Sequence, residues 1–349
     1  MSGECPRLAF LAVLSCVALA AANEATNEAA NEDGLYQRDR AKAKYRRPAM
    51  ALGHPADNAY TVERAALGKA LFFDPRLSRS GTLSCGGCHN PSLSWGDALP
   101  QAVGDMMRTL SRRTPTLLNI GYAETLFWDG RAATLEEQAL GPIAAVGEMN
   151  LSLTEMQQRI RGIAGYRDWF ARAYPGEAIV PAVIAKAIAV FERGIVSGIA
   201  PVDRWIAGEE DAIDEAAKRG FDLFQAKAGC AQCHIGWNFT DDGFHDIGVC
   251  GKDIGRGSVF PQIEAVQAAF KTPTLRNVSM RAPYFHNGSE STLESVIDFY
   301  DRGGNAKRPS LAPEVRRLGL TRVEKDDLLR FLLTLNSSDA AVEFPVLPR

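Results

Sequence analysis

The sequence predicts a mainly α-helical protein made of two similar helical units. Apolar residues recur at helical spacing over Thr61–Phe72, Thr154–Tyr174, Pro181–Val196, Ala212–Phe224, Leu293–Tyr300 and Arg322–Leu335, while alternating β-branched runs are scarce. The pattern Cys-x-x-Cys-His occurs twice, at residues 85–89 and 230–234. A longer stretch also repeats: Arg113-Thr114-Pro115-Thr116-Leu117-Leu118-Asn119 recurs as Lys271-Thr272-Pro273-Thr274-Leu275-Arg276-Asn277, an offset of 158 residues.

The 349 residues, 46% hydrophobic and 23% charged, give room for two cores. A net charge of -3, with only short basic runs at residues 42–47 and 112–113, argues against a nucleic-acid partner. At the N-terminus Arg7 precedes an apolar run from Leu8 to Ala22 and then Asn-Glu repeats. This is the pattern of an export signal, residues 1–22, too short to span a bilayer. Val13-Leu14-Ser15-Cys16 keeps a lipid-anchored form open. The expected organisation is a signal at 1–22, a flexible segment at 23–48, and helical domains at 49–200 and 201–349, the mature chain lying in the periplasm without a membrane span. Cys5 and Cys16 fall in the signal and four cysteines in the two motifs, so Cys250 has no partner for a disulfide.

Cys85, Cys88 and His89, and likewise Cys230, Cys233 and His234, form the attachment pattern of c-type haem. Two thiols three residues apart reach one porphyrin edge, and the next residue offers its imidazole to the iron. A redox pair would not need the histidine, and a zinc site would not explain the repeated spacing. Two covalent haems are expected, one in each cytochrome c-like domain.

The repeat ranks the two irons. Without a gap, Phe127-Trp128-Asp129-Gly130 falls on Phe285-His286-Asn287-Gly288, Thr134-Leu135-Glu136 on Thr292-Leu293-Glu294, and Pro142 on Tyr300. If that position lies over the distal face, Tyr300 can ligate the second iron, whereas proline leaves the first open. Met280, His286 and His245 are rival ligands for the second iron. No histidine lies between His89 and Trp128, so the first has no obvious second histidine.

The chain resembles the bacterial di-haem cytochrome c peroxidase and MauG family over about residues 65–335. The likeness rests on Leu67-Gly68-Lys69-Ala70-Leu71-Phe72, Phe127-Trp128-Asp129-Gly130-Arg131, Gly147-Glu148-Met149, Phe239-Thr240-Asp241-Asp242-Gly243-Phe244-His245 and Pro283-Tyr284-Phe285-His286-Asn287-Gly288. The resemblance implies that the haem on His89 binds hydrogen peroxide and the haem on His234 relays electrons. It makes Trp128 the bridge between them, Glu148 the distal acid that handles protons, and Gln138 a further distal polar group. Family members also hold calcium through backbone carbonyls, here those of Arg281 and Pro283, and an asparagine side chain, at whose position this chain has Arg113.

Ordinary peroxidases of the family carry methionine at the Tyr300 position and a histidine over the resting first haem. Tyr300 with an open first iron is similar instead to the MauG branch. That branch uses peroxide, through high-valent iron, to oxidise tryptophan residues of pre-methylamine dehydrogenase to tryptophan tryptophylquinone. An anionic oxygen ligand favours such strong oxidation over electron uptake. The alternative is a peroxidase that takes electrons from cytochrome c; a plain electron carrier needs neither Pro142 nor Glu148. Where MauG has a surface tryptophan before its second motif this chain has Ala228-Gly229, leaving Trp205 or Trp237 as substitutes.

Overall fold

The computed structural model describes residues 36–49 and 53–349, and the expected signal, residues 1–22, lies outside them. The chain forms two units, Met1–Tyr45 and Arg46–Arg349. In the first, residues 36–43 are helical. The second carries both Cys-x-x-Cys-His motifs. Its helices are α1 (Val62–Phe72), α2 (Leu135–Ala144), α3 (Leu153–Gly162), α4 (Ala164–Ala173), α5 (Pro181–Arg193), α6 (Pro201–Ile206), α7 (Glu215–Gln225), α8 (Leu293–Asp301) and α9 (Arg322–Leu333), with single helical turns at Cys85–Cys88 and Cys230–Gln232. A two-residue strand β1 (Phe244–His245) pairs antiparallel with β2 (Phe270–Lys271).

Side-chain caps fix most helix starts: Thr61, Thr134, Ser152, Asp214, Thr292 and Thr321 each accept a backbone N–H from the first turn. Several elements differ from expectation, among them the short helix α6, which no helical run in the sequence announces. The run at 154–174 is broken at Ile163, whose extended backbone (φ -89°, ψ 116°) follows Gly162 and separates α3 from α4. Helix α2 is not evident from periodicity because Pro142 lies inside it; the ring is accommodated in the last turn, ahead of Ala145.

The duplication is a duplication of packing. In each half one long helix crosses another through a glycine. A Cβ on Gly68 of α1 would lie 1.9 Å from Ala187 O of α5, and one on Gly220 of α7 would lie 2.0 Å from Asp327 O of α9. Aromatic rings fill the space beside each crossing: Phe72, Phe73, Trp95 and Phe191 in the first half, and Phe221, Phe224, Phe239 and Phe331 in the second. The loop before α2 and the loop before α8 share one conformation. Asn119 and Asn277 are left-handed (φ 61° and 54°), as are Phe127 and Phe285 (φ 68° and 66°). The bridge Leu126–Ala132 recurs as Tyr284–Glu290.

Residues 342–349 run back onto the first half. Val342 and Leu347 pack on its core, the Phe344 ring lies 5.0 Å from Phe73, and Arg349 O accepts from Gly165 N at 2.7 Å.

The crossings give a direct stability test. Gly68→Ala or Gly220→Ala forces paired helices apart and is expected to cost about 1–3 kcal/mol. Gly162→Ala meets nothing within 4 Å and is expected to change stability by under about 0.5 kcal/mol. Thermal unfolding of the haem-loaded proteins checks the ranking.

Candidate haem centres

In both motifs the chain folds back by one turn. His89 N donates to Cys85 O at 2.8 Å and His234 N to Cys230 O at 2.9 Å, so the thiols and the imidazole travel as one rigid piece. His89 Nδ1 lies 3.2 Å from Trp95 O, and His234 Nδ1 lies 2.9 Å from Phe239 O. A carbonyl only accepts, so Nδ1 must carry the proton and Nε2 keeps its lone pair for a metal. Burial lowers the pKa of both rings, which favours the neutral, ligating form.

Each histidine and its two cysteines line a cavity. The first, about 470 Å³, has apolar walls that include Leu117, Leu126 and Ile188. The second, about 290 Å³, has walls that include Leu275, Ile297 and Leu332. Two thiols and a free Nε2 facing apolar space are the donor set and surroundings that a c-type haem requires.

Pro142 and Tyr300 occupy the same position of the duplicated helices α2 and α8, and each faces its own cavity. Proline presents no donor atom to the first cavity. Tyr300 presents a phenol to the second, and burial and the nearby thiols push its pKa upward, so a phenolate there has to be matched by a cation. Of the rival ligands, Met280 is 48% exposed and does not line the cavity. His245 lines it but pairs with Asp241 at 2.8 Å, and that carboxylate, together with the Cys233 thiol, raises its pKa to about 10. Cys233, Asp241 and His245 could together hold a metal ion, but haem attachment would consume the Cys233 sulfur. His286 also lines this cavity, with its ring stacked on Phe270 at 3.6 Å.

Trp128 lines both cavities. Its Nε1 donates to Arg113 O at 3.0 Å, and its own carbonyl accepts from Lys271 N at 2.9 Å. The next residue, Asp129, is 3% exposed and accepts from Arg112 at 2.6 Å and from Arg131 at 2.9 Å. Arg112 also grips Asp253 of the second half, and Arg256 donates to Asp129 O and Gly130 O. These charge-assisted bonds hold the tryptophan loop from both sides.

Gln138 and Glu148 line the first cavity with Pro142. Burial raises the pKa of Glu148, only partly opposed by Arg131. The loop carrying it is anchored, since Glu148 O accepts from Asp105 N at 2.7 Å and Asn150 donates to Asp105 at 2.8 Å. Trp205 is fully buried, with its Nε1 donating to Glu210 at 3.1 Å. Trp237 sits under two guanidiniums, Arg47 at 5.0 Å and Arg276 at 5.8 Å, and a positive hole on that ring would face two cations.

The expected calcium position does not suit calcium. The Pro283 carbonyl accepts a hydrogen bond from Arg113 Nη1, and a guanidinium stands where a neutral oxygen ligand would be needed.

Comparison with known proteins agrees with this geometry. A family model described as di-haem cytochrome c peroxidase matches residues 62–211, and one for cytochrome c matches residues 217–336. The methylamine utilization protein MauG of Methylorubrum extorquens is 50% identical over 88% of this chain and 87% of its own length. The chain belongs to the di-haem cytochrome c peroxidase and MauG family. MauG of Methylophilus methylotrophus is 44% identical over 88% of this chain and 92% of its own length. The crystal structure of a MauG-like protein associated with microbial copper homeostasis matches with a TM-score of 0.77 and 33% identity, over 83% of this chain and 95% of that one. Like other members, this chain is a haem-dependent oxidoreductase with two c-type haems.

One residue of this family member lies beyond the sequence reading. Glu192 interrupts the apolar face of α5, is 4% exposed, lines the first cavity, and has a buried oxygen without a partner. Burial raises its pKa from 4.5 to about 8. The folded protein therefore keeps a proton that the unfolded chain releases, and stability falls as pH rises from about 4.5 to about 8. Glu192→Gln is expected to remove that slope, so that its melting-temperature advantage grows across this window and levels off above it. Parallel melting profiles of variant and wild type would contradict this.

Proposed function

We propose that this chain is a MauG-type enzyme that uses hydrogen peroxide to oxidise tryptophan residues of a protein substrate, pre-methylamine dehydrogenase, towards tryptophan tryptophylquinone. The observation that carries the reading is the pairing of Pro142 with Tyr300 at one position of a duplicated helix, each facing its own haem cavity. The two most similar relatives described above carry the same name, which supports the branch.

The haems, when bound, supply the redox chemistry that two-electron oxidation by peroxide requires. The chain supplies the rest. His89 and His234 would each hold one haem iron, and Tyr300 would close the second cavity to other ligands. Pro142 keeps the first cavity open. Glu148, its pKa raised by burial, takes a proton from one peroxide oxygen and returns it to the other, with Gln138 as a neighbouring hydrogen-bond donor. Trp128, facing both cavities and fixed through its Nε1, carries electrons between the two centres.

The two haem regions correspond to residues 49–200 and 201–349 in this reading, following a signal at 1–22 and a linking segment at 23–48. The periplasm is the proposed location, supported by the Arg7-to-Ala22 pattern. No helix among the described residues is long and apolar enough to cross a membrane.

Haem-loaded protein mixed with peroxide and pre-methylamine dehydrogenase is expected to generate quinone absorbance. Trp128→Phe is expected to slow this at least about tenfold, equivalent to about 1.4 kcal/mol of barrier. Rapid peroxide-dependent oxidation of reduced cytochrome c, with no quinone formed, would favour the cytochrome c peroxidase reading instead.

A further inference from the structure

Two guanidiniums lie at the haem cavities without carboxylate partners among the described residues. Arg113 is 8% exposed and lines both cavities, and Arg281 lines the second. Arg113 Nη1 donates to Pro283 O, but its Nε is buried without a hydrogen-bond partner. Among the described residues Arg281 donates to backbone oxygens, those of Asn277 at 3.3 Å and Thr274 at 2.5 Å. A buried cation left uncompensated is costly, so these two groups call for an anion that the described residues do not provide. Each haem brings two propionates, and the planar fork of arginine matches a carboxylate.

We propose that Arg113 is a built-in replacement for the calcium ion that the family resemblance implies between the two haem regions. Its guanidinium takes the Pro283 carbonyl and, together with Arg281, offers its remaining N–H groups to haem propionates.

Three observations carry this. Calcium needs six to eight oxygen ligands, whereas Arg113 brings only donors to the place where one of those oxygens would stand and engages another, Pro283 O. A second cation, Arg281, lines the same cavity as Arg113, and a divalent ion there would add to the repulsion between them; burial first, and the Arg113 charge second, lower the pKa of Arg281. The backbone of Arg113 is also a junction, its N donating to His286 O at 2.8 Å and its O accepting from Trp128 Nε1 at 3.0 Å. The cation is thereby covalently part of the segment that holds the tryptophan facing both cavities. Chelation cannot remove it.

The proposal does not depend on which oxidation the enzyme performs. Its test is elemental analysis, calcium titration calorimetry and haem redox titration of the purified di-haem protein. Wild type is expected to hold substoichiometric calcium, to give no heat with calcium chloride, and to keep its absorption spectrum and midpoint potentials after dialysis against EGTA. Removing a nearby cation stabilises the oxidised haem, so Arg113→Gln is expected to lower at least one midpoint potential and Arg113→Lys to restore part of the shift. One calcium per wild-type chain, removable by EGTA with a change in spectrum, would overturn the proposal. So would an Arg113→Gln protein carrying both haems at wild-type potentials. The calcium measurement on wild type decides the matter even where a variant fails to fold.

Discussion

A haem iron takes four nitrogens from its porphyrin, and each half of this chain offers a histidine whose Nδ1 is tied to a carbonyl, leaving Nε2 available as a further ligand. What stands across the cavity then decides what each centre can do. Helices α2 and α8 are copies of one element, started by the same threonine cap. One substitution within that copy, proline against tyrosine, makes a symmetric scaffold chemically unequal.

An open and a closed centre are useful together only if their separation is fixed. The loop at Trp128 is held by Arg112 and Arg131 on Asp129 and by Arg256 on the adjoining carbonyls, and Arg112 reaches across to Asp253. A second lock lies at Arg47, which donates to Ser197 O and Gly198 O at the end of the first half and to buried Asp203 of α6, itself paired with Arg276 at 2.8 Å. Breaking such a buried pair by removing one partner typically costs ~3–5 kcal/mol, because the remaining charge has no water. The final residues, packed on the first core, add an apolar strap. These links make residues 46–349 one compact unit although the sequence is built from two similar parts.

Much of this is legible in the sequence, for physical reasons. Haem attachment demands fixed spacing, so Cys85, Cys88, His89, Cys230, Cys233 and His234 announce themselves. A gapless repeat preserves backbone geometry, so the correspondence of Pro142 with Tyr300 survives into the fold, down to the left-handed Phe127 and Phe285. What was hidden depends on burial or on long-range contact. Glu192 looks like one charge at the end of an apolar helix until the cavity beside it is seen. Helix α2 is masked by Pro142, since a proline in the last turn reads as a break. The charge clamp on Asp129 joins residues 112, 129, 131 and 256, and no local pattern reveals it. Arg113 was visible as a departure from the calcium pattern, but its bond to Pro283 O belongs to the fold.

The proposed unequal coordination of the two irons is tested most directly by electron paramagnetic resonance of the fully oxidised di-haem protein alongside Tyr300→Phe. One high-spin and one low-spin ferric signal in wild type, with only the low-spin signal altered by the substitution, is the expected result. Two low-spin haems unaffected by loss of the Tyr300 hydroxyl would contradict it.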